Sequence, residues 1–238
     1  PASTAVALGV MLATGGVFLV EAYYLKDLIE KNLFDTIYHE HLSYFTVSTL
    51  EKLFGRNGME IFDVEWIDTH GGSVRVYAQN AEGPRERTSR PDEFKKEEGR
   101  LGLNNLQTYA AFAGRIAENR VQLTQLLASF KREGKRIAGY GAPAKSATLL
   151  NYFGIGPDTL DYIVDDNPWK QGLLTPGTRI PVVGAGTLEL QKPDYVLILA
   201  WNFAEPIMKK CAGAGFTNFI IPVPTPEVVN GNVKEERL

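Results

Sequence analysis

The sequence predicts an α/β protein: a C-terminal half of parallel strands and helices, preceded by a shorter α/β stretch and a long helix. Three observations predict it. Apolar runs at residues 136–140, 160–164, 195–201 and 216–221 alternate with helical stretches at 145–152, 187–190 and 204–212. That alternation is the pattern of βαβ units with right-handed crossovers. The turn Gly139-Tyr140-Gly141-Ala142-Pro143 joins the first run to the first helix. Ahead of it, Leu106, Tyr109, Ala113, Ile116, Leu123, Leu127 and Phe130 keep three-four spacing, broken only at Arg120. This is one packing face of a long amphipathic helix, about 40 Å if it runs 27 residues.

The elements follow in chain order. Residues 4–13 read as the end of a helix stopped by Gly15-Gly16, since glycine tolerates the left-handed cap. Residues 17–20 are a short apolar run suited to a buried strand. Residues 23–31 read as helix or turn. A helix over 48–56 has Ser48 as its N-cap with Glu51 three residues on, a capping box. Residues 61–67 alternate as a strand, 68–72 turn, and 74–78 return as a second strand. Residues 82–100 hold six acidic and six basic side chains with Pro84 and Pro91. They read as a solvated connector, with a helix start at Pro91-Asp92-Glu93. The expected organisation is a first part over 1–80, a connector and long helix over 81–133, and a Rossmann-like domain over 134–238.

Composition narrows the function classes. The 238 residues are 44% hydrophobic with a net charge of −3, which fits a chain that buries a core and argues against a general nucleic-acid or anionic-membrane binder. No run approaches the ~20 apolar residues of a membrane span. The apolar stretch 6–20 is broken by Gly15-Gly16 and lacks a basic flank, so it is not a signal peptide, and a cytoplasmic location is expected. One cysteine, Cys211, excludes a disulfide framework and a thiolate-rich zinc site within the chain.

The three histidines are grouped. Two lie in Tyr38-His39-Glu40-His41 and the third opens His70-Gly71-Gly72-Ser73. Histidine is the usual proton carrier at neutral pH, and Tyr38 and Glu40 add a hydrogen-bonding acid and an orienting carboxylate. The set suits abstraction of a proton next to a carbonyl, with a neighbouring donor holding the enolate oxygen. His39 and His41 share one face only in an extended segment, so a metal reading with His70 is the weaker one. The His70-Gly71-Gly72 turn is equally a plain hairpin. The loop through Gly141, Lys145 and Ser146 lies between strand and helix, where backbone N–H groups and a lysine meet a phosphate. Asp165-Asp166 ends the next strand, where an acid often meets a ribose. Asn167 and Lys170 follow at the same sheet edge, and Trp201-Asn202 ends another strand.

The segments 34–45, 70–75, 139–146 and 165–172, taken in that order, resemble the S-adenosylmethionine-dependent sugar C-methyltransferases, which methylate C3 of nucleotide-linked 4-keto-deoxysugars. The resemblance implies a zinc lobe, a class I methyltransferase domain and a Rossmann-like C-terminal domain. Residues 4–20 then look like the late helix, Gly-Gly turn and fifth strand of the methyltransferase sheet, and 61–67 with 74–78 like its terminal antiparallel pair. This chain would hold the last portion of that domain and the complete C-terminal one; the zinc and most of the S-adenosylmethionine site would lie outside it, leaving the piece alone inactive. Carried over, His41 is the general base, with Tyr38 and Glu40 beside it and His39 and His70 in support. Glu21 is the candidate contact to S-adenosylmethionine. Gly141, Lys145, Ser146, Asp165, Asn167, Lys170 and Asn202 would hold a nucleotide-diphosphate sugar of the thymidine diphosphate type. A monomer or homodimer is expected. The competing readings are a non-catalytic nucleotide-sugar-binding module and an NAD-dependent oxidoreductase using the Gly139-x-Gly141 loop.

Overall fold

A computed structural model describes residues 12–13 and 15–230. The helix expected over 4–13 falls almost wholly outside them. The chain divides into two compact units. One comprises the residues through Lys31 with Leu42–Ala113; the other comprises Asn32–His41 with the residues from Gly114 onward.

The first unit is built on a three-stranded sheet of β1 (Phe18–Tyr23), β2 (Met59–Ile67) and β3 (Ser73–Asn80). The order is β1-β3-β2, and β3 runs antiparallel to both neighbours. Val74, Val76 and Ala78 of β3 are fully buried, the one-face alternation of a half-covered sheet. They pack with Leu50 and Phe54 of α2 (Val47–Gly55). A short helix, α1 (Leu25–Glu30), follows β1.

Two local expectations are corrected here. The N-cap of α2 is Thr46, not Ser48: its side chain accepts from the Thr49 N–H, and Thr49 closes the box where Glu51 was expected. Glu51 instead pairs with Arg87 and Lys95. The charged run is not a solvated connector throughout. Arg90–Arg100 forms helix α3 with Pro91 in its first turn, and its Glu98 is buried. That carboxylate accepts from the N–H groups of Val47 (2.6 Å) and Ser48 (3.0 Å), from Ser48 Oγ (2.5 Å) and from Tyr24 Oη (3.2 Å). It serves the orphan donors of the α2 N-terminus, where negative charge is favoured. Its burial is therefore compensated.

Helix α4 (Leu106–Arg132) has the expected 27 residues. Phe112, Ile116, Leu123 and Leu127 are buried along it; Arg120, where the stripe breaks, is exposed, and the buried position beside it is Asn119, whose amide donates to the carbonyls of Pro222 and Pro224.

The second unit carries a six-stranded sheet. Its strands are β4 (Ile137–Tyr140), β5 (Ile163–Val164), β6 (Val182–Val183), β7 (Tyr195–Ile198), β8 (Asn218–Ile221) and β9 (Glu227–Asn230), in the order β6-β5-β4-β7-β8-β9. All pairings are parallel except β8–β9. Every residue of β4 is buried, as a central parallel strand requires. Helices α5 (Ala144–Phe153), α6 (Gly186–Gln191) and α7 (Ala204–Gly213) connect the strands. The α/β class and Rossmann-like half are as expected. Strands β6 and β9 were missed. The former has two residues, too few for a periodic signal. The latter follows a proline-rich turn and is mostly exposed. From β4 the chain builds outward through β5 and β6, then returns to the other side of β4 with β7. The carboxyl ends of β4 and β7 thus flank a topological switch point, where open α/β sheets bind ligands.

Candidate functional site

The second unit gathers most of the proposed side chains at that switch point. Gly141 follows β4 at φ +89°. A Cβ there would lie 2.5 Å from that of Ala200, so the loop needs glycine both for its backbone and for its approach to the end of β7. Lys145 stands in the first turn of α5. Its Nζ lies 3.7 Å from the ring centroid of Trp201 and donates to Asn202 Oδ1. The short helix Trp201–Phe203 brings both residues to the end of β7.

Asp165, at the end of β5, is buried and organises the loop. Oδ2 accepts from the Ala142 N–H (2.7 Å) and from Lys170 Nζ (3.3 Å), and Oδ1 accepts from the Asn167 N–H (2.8 Å). Lys170 also donates to the Ala142 carbonyl. Ser146 is buried and gives its hydroxyl to the Pro143 carbonyl. Asn167 accepts from the Trp169 N–H. These contacts rigidify the glycine turn. The acid with the more open setting is Asp166, which accepts from Tyr140 Oη and Lys210 Nζ.

The Tyr-His-Glu-His segment belongs to the same unit. A short helix, Phe34–Thr36, anchors it: Phe34 stacks on Phe153 of α5 with centroids 5.0 Å apart. The segment then turns, His41 N–H to Tyr38 carbonyl 2.9 Å, so it is not extended. His41 Nδ1 lies 2.7 Å from the Thr36 carbonyl. A carbonyl only accepts, so Nδ1 carries the proton and the neutral ring has its lone pair on Nε2. The Tyr38 ring lies 4.1 Å from that of His41. Burial first, then the Glu40 and Asp35 charges, raises the Tyr38 pKa and keeps it a hydroxyl donor. His39 and Glu40 are exposed.

Asp35 is the residue that sequence reasoning passed over. It is fully buried, and Oδ2 accepts from the Trp201 indole N–H at 2.5 Å. Oδ1 has no hydrogen-bond partner among the described residues. Burial pushes its pKa up to about 6 against the pull of Trp201, Lys145 and nearby backbone N–H groups. Burial brings Lys145 down to about 8, with Asp35 opposing. The only signal in the sequence was an acid set between Phe34 and Thr36 ahead of the histidines.

His70 and Glu21 lie in the first unit. His70 has φ +55° and its ring lies 5.4 Å from that of Tyr23. It opens the β2–β3 hairpin. Gly72, at φ +138°, sits where a Cβ would meet the Asp27 carboxyl at 2.3 Å. Asp27 is in turn held by Lys31 (2.9 Å) and the Trp66 indole (2.9 Å). Glu21 is committed to Arg75 (3.1 Å) and Thr69 (3.2 Å). Among the described residues no three His, Cys, Asp or Glu come together to hold a metal ion, and no helix is long and apolar enough to cross a membrane.

Comparisons with known proteins add a lineage to this geometry. The chain is 38% identical over 223 residues to C-methyltransferase NovU of Streptomyces niveus, a match covering 92% of this chain and 53% of that protein. It spans about half the length of this curated relative. Residues 68–224 match the family model described as the C-methyltransferase C-terminal domain. These residues take in the β2–β3 turn and the sheet through β8, and the chain belongs to that family.

Proposed function

We propose that the protein transfers a methyl group from S-adenosylmethionine to C3 of a nucleotide-linked 4-keto-deoxysugar through an enolate. This chain would supply the base and the loop that holds the nucleotide. The observation that carries the reading is the tautomer of His41, with Nδ1–H given to the Thr36 carbonyl, the lone pair on Nε2, and the Tyr38 ring alongside. The relative, a C-methyltransferase, supports the reaction class.

The steps assigned to this chain are proton steps. His41 Nε2 takes the proton from C3, and the electron pair of the broken C–H bond becomes the C3–C4 double bond of the enolate. The negative charge moves to the C4 oxygen, where the Tyr38 hydroxyl is the candidate donor. A ketone makes this proton acidic enough for an imidazole, and C3 becomes the nucleophilic carbon. Lys145 and the N-terminus of α5 suit a diphosphate. S-adenosylmethionine supplies a methyl group when bound, and most of its site is expected outside this chain. Glu21, the candidate contact, has its carboxylate committed to Arg75 and Thr69. No step is therefore assigned through it. The NAD alternative needs an acid free to meet a ribose, whereas Asp165 is turned inward onto the Ala142 N–H and Asp166 is paired with Tyr140 and Lys210.

The test is solvent exchange of the C3 proton. In deuterated water the full-length protein is expected to exchange C3–H of a thymidine diphosphate-linked 4-keto-deoxysugar, followed by NMR. His41→Ala lowers the rate by about 10²–10⁴-fold, the usual worth of a positioned base. Exchange at the wild-type rate in that variant removes His41 from the mechanism.

A further inference from the structure

We propose that Asp35 is the positioning residue of the catalytic segment: its buried carboxylate, held by the Trp201 indole and faced by Lys145, sets the Tyr38–His41 turn on the switch point of the parallel sheet. The kinetic part of this inference rests on the proposed function; the part about the His41 ring stands without it.

Four observations carry it. Asp35 is fully buried, yet only one of its oxygens has a hydrogen-bond partner among the described residues. A buried carboxylate with so little compensation is costly. The partner it does have, Trp201, lies 166 residues away and at the end of β7. The same indole is covered by Lys145, whose other contact is Asn202. One cluster therefore joins the first turn of α5, the end of β7 and the segment Asn32–His41. Thr36 follows Asp35 directly, and its carbonyl fixes the tautomer of His41. A shift of Asp35 moves the Thr36 carbonyl and with it the base. Phe34, stacked on Phe153 on the other side of Asp35, holds the segment against α5. The carboxylate–indole bond ties it to the end of β7.

Three variants separate positioning from bulk structure. Asp35→Ala removes the acceptor, Asp35→Asn keeps an amide oxygen for the indole, and Trp201→Phe removes the N–H donor while keeping an aromatic ring. The first readout needs no substrate: ¹⁵N shifts of the His41 ring in this chain report which nitrogen carries the proton. Asp35→Ala and Trp201→Phe are expected to reduce the Nδ1–H population, and Asp35→Asn to keep the wild-type signals. The second readout is C3 proton exchange by the full-length protein. Asp35→Ala is expected to lower kcat about 100-fold with KM nearly unchanged, the size of a small misplacement of a reacting group, and Asp35→Asn to restore most of it. Wild-type His41 signals in Asp35→Ala overturn the proposal. So does a raised KM with unchanged kcat. If Asp35→Ala does not fold, Trp201→Phe decides by the same two readouts. If the wild type shows no exchange at all, the functional reading fails while the ring signals still decide the role of Asp35.

Discussion

Asp35 and Lys145 make an opposite-charge pair in which each partner is pushed toward neutrality by burial. The stability consequence of Asp35 has a definite sign. Its folded pKa, about 6, lies above the ordinary value near 4. Between those two values the native state holds more protons than the unfolded chain, so stability falls as pH rises through the window and stays lowered above it. A shift of that size is worth about 3 kcal/mol. Asp35→Asn carries no ionisation penalty and still offers an oxygen to Trp201. It is expected to be more stable than the wild type at pH 8, by up to about 3 kcal/mol, with the difference vanishing below pH 4. Urea unfolding at the two pH values checks this; equal stability at pH 8 contradicts it. Lys145 has the opposite profile: its folded pKa is depressed, so its cost is present below about pH 8 and is relieved as pH rises toward the unfolded value.

At the scale of elements, α2 and the glycine turn show how local structure depends on distant side chains. Glu98 of α3 serves three donors at the start of α2 and the hydroxyl of Tyr24. Glu98→Ala leaves those donors buried and is expected to cost about 3 kcal/mol, with Glu98→Gln costing less because its carbonyl still accepts. Chemical denaturation of the two variants checks the order; equal losses contradict it. The capping box was read two residues too late in the sequence. Ser48–Glu51 and Thr46–Thr49 both have cap-forming residue types at the correct spacing, and the choice fell to tertiary contacts: Ser48 and Glu51 are drawn to Glu98, Arg87 and Lys95. Gly141→Ala meets two penalties at once, a left-handed φ and a clash with Ala200. It is expected to lower stability by more than 1 kcal/mol and to loosen the loop that carries Lys145.

At the scale of the whole chain, the switch point of the second unit makes a ligand-linked prediction. A ligand that binds only the folded state at 100 times its Kd adds about 2.7 kcal/mol, several degrees in Tm for a chain of this size. Thymidine diphosphate is expected to raise the Tm of this chain by that amount, and Lys145→Met to abolish most of the rise. NADH and S-adenosylmethionine are expected to leave it unchanged, since Asp165, Asp166 and Glu21 are all engaged by protein partners. A rise with NADH alone transfers the loop to the oxidoreductase reading.

Much of this was legible beforehand because it depends on local period and residue type. The alternation of apolar runs and helices specified the α/β half, and three-four spacing located α4 and its length. The glycine turn was placed between β4 and α5, and the Tyr38–His41 cluster was found because histidines are scarce and grouped. Strands too short to show a period, and a cap with two equivalent candidates, were settled only by contacts. The same is true of the site. Asp165 and Ser146 have the residue types of ligand contacts, but in the fold they hold the loop itself. Asp35 and Trp201 lie 166 residues apart, and no linear pattern announces their bond. The one-dimensional chain records which chemistry is present. Which polar groups spend themselves on each other, and which are left for a substrate, is decided where burial makes an unpaired charge expensive.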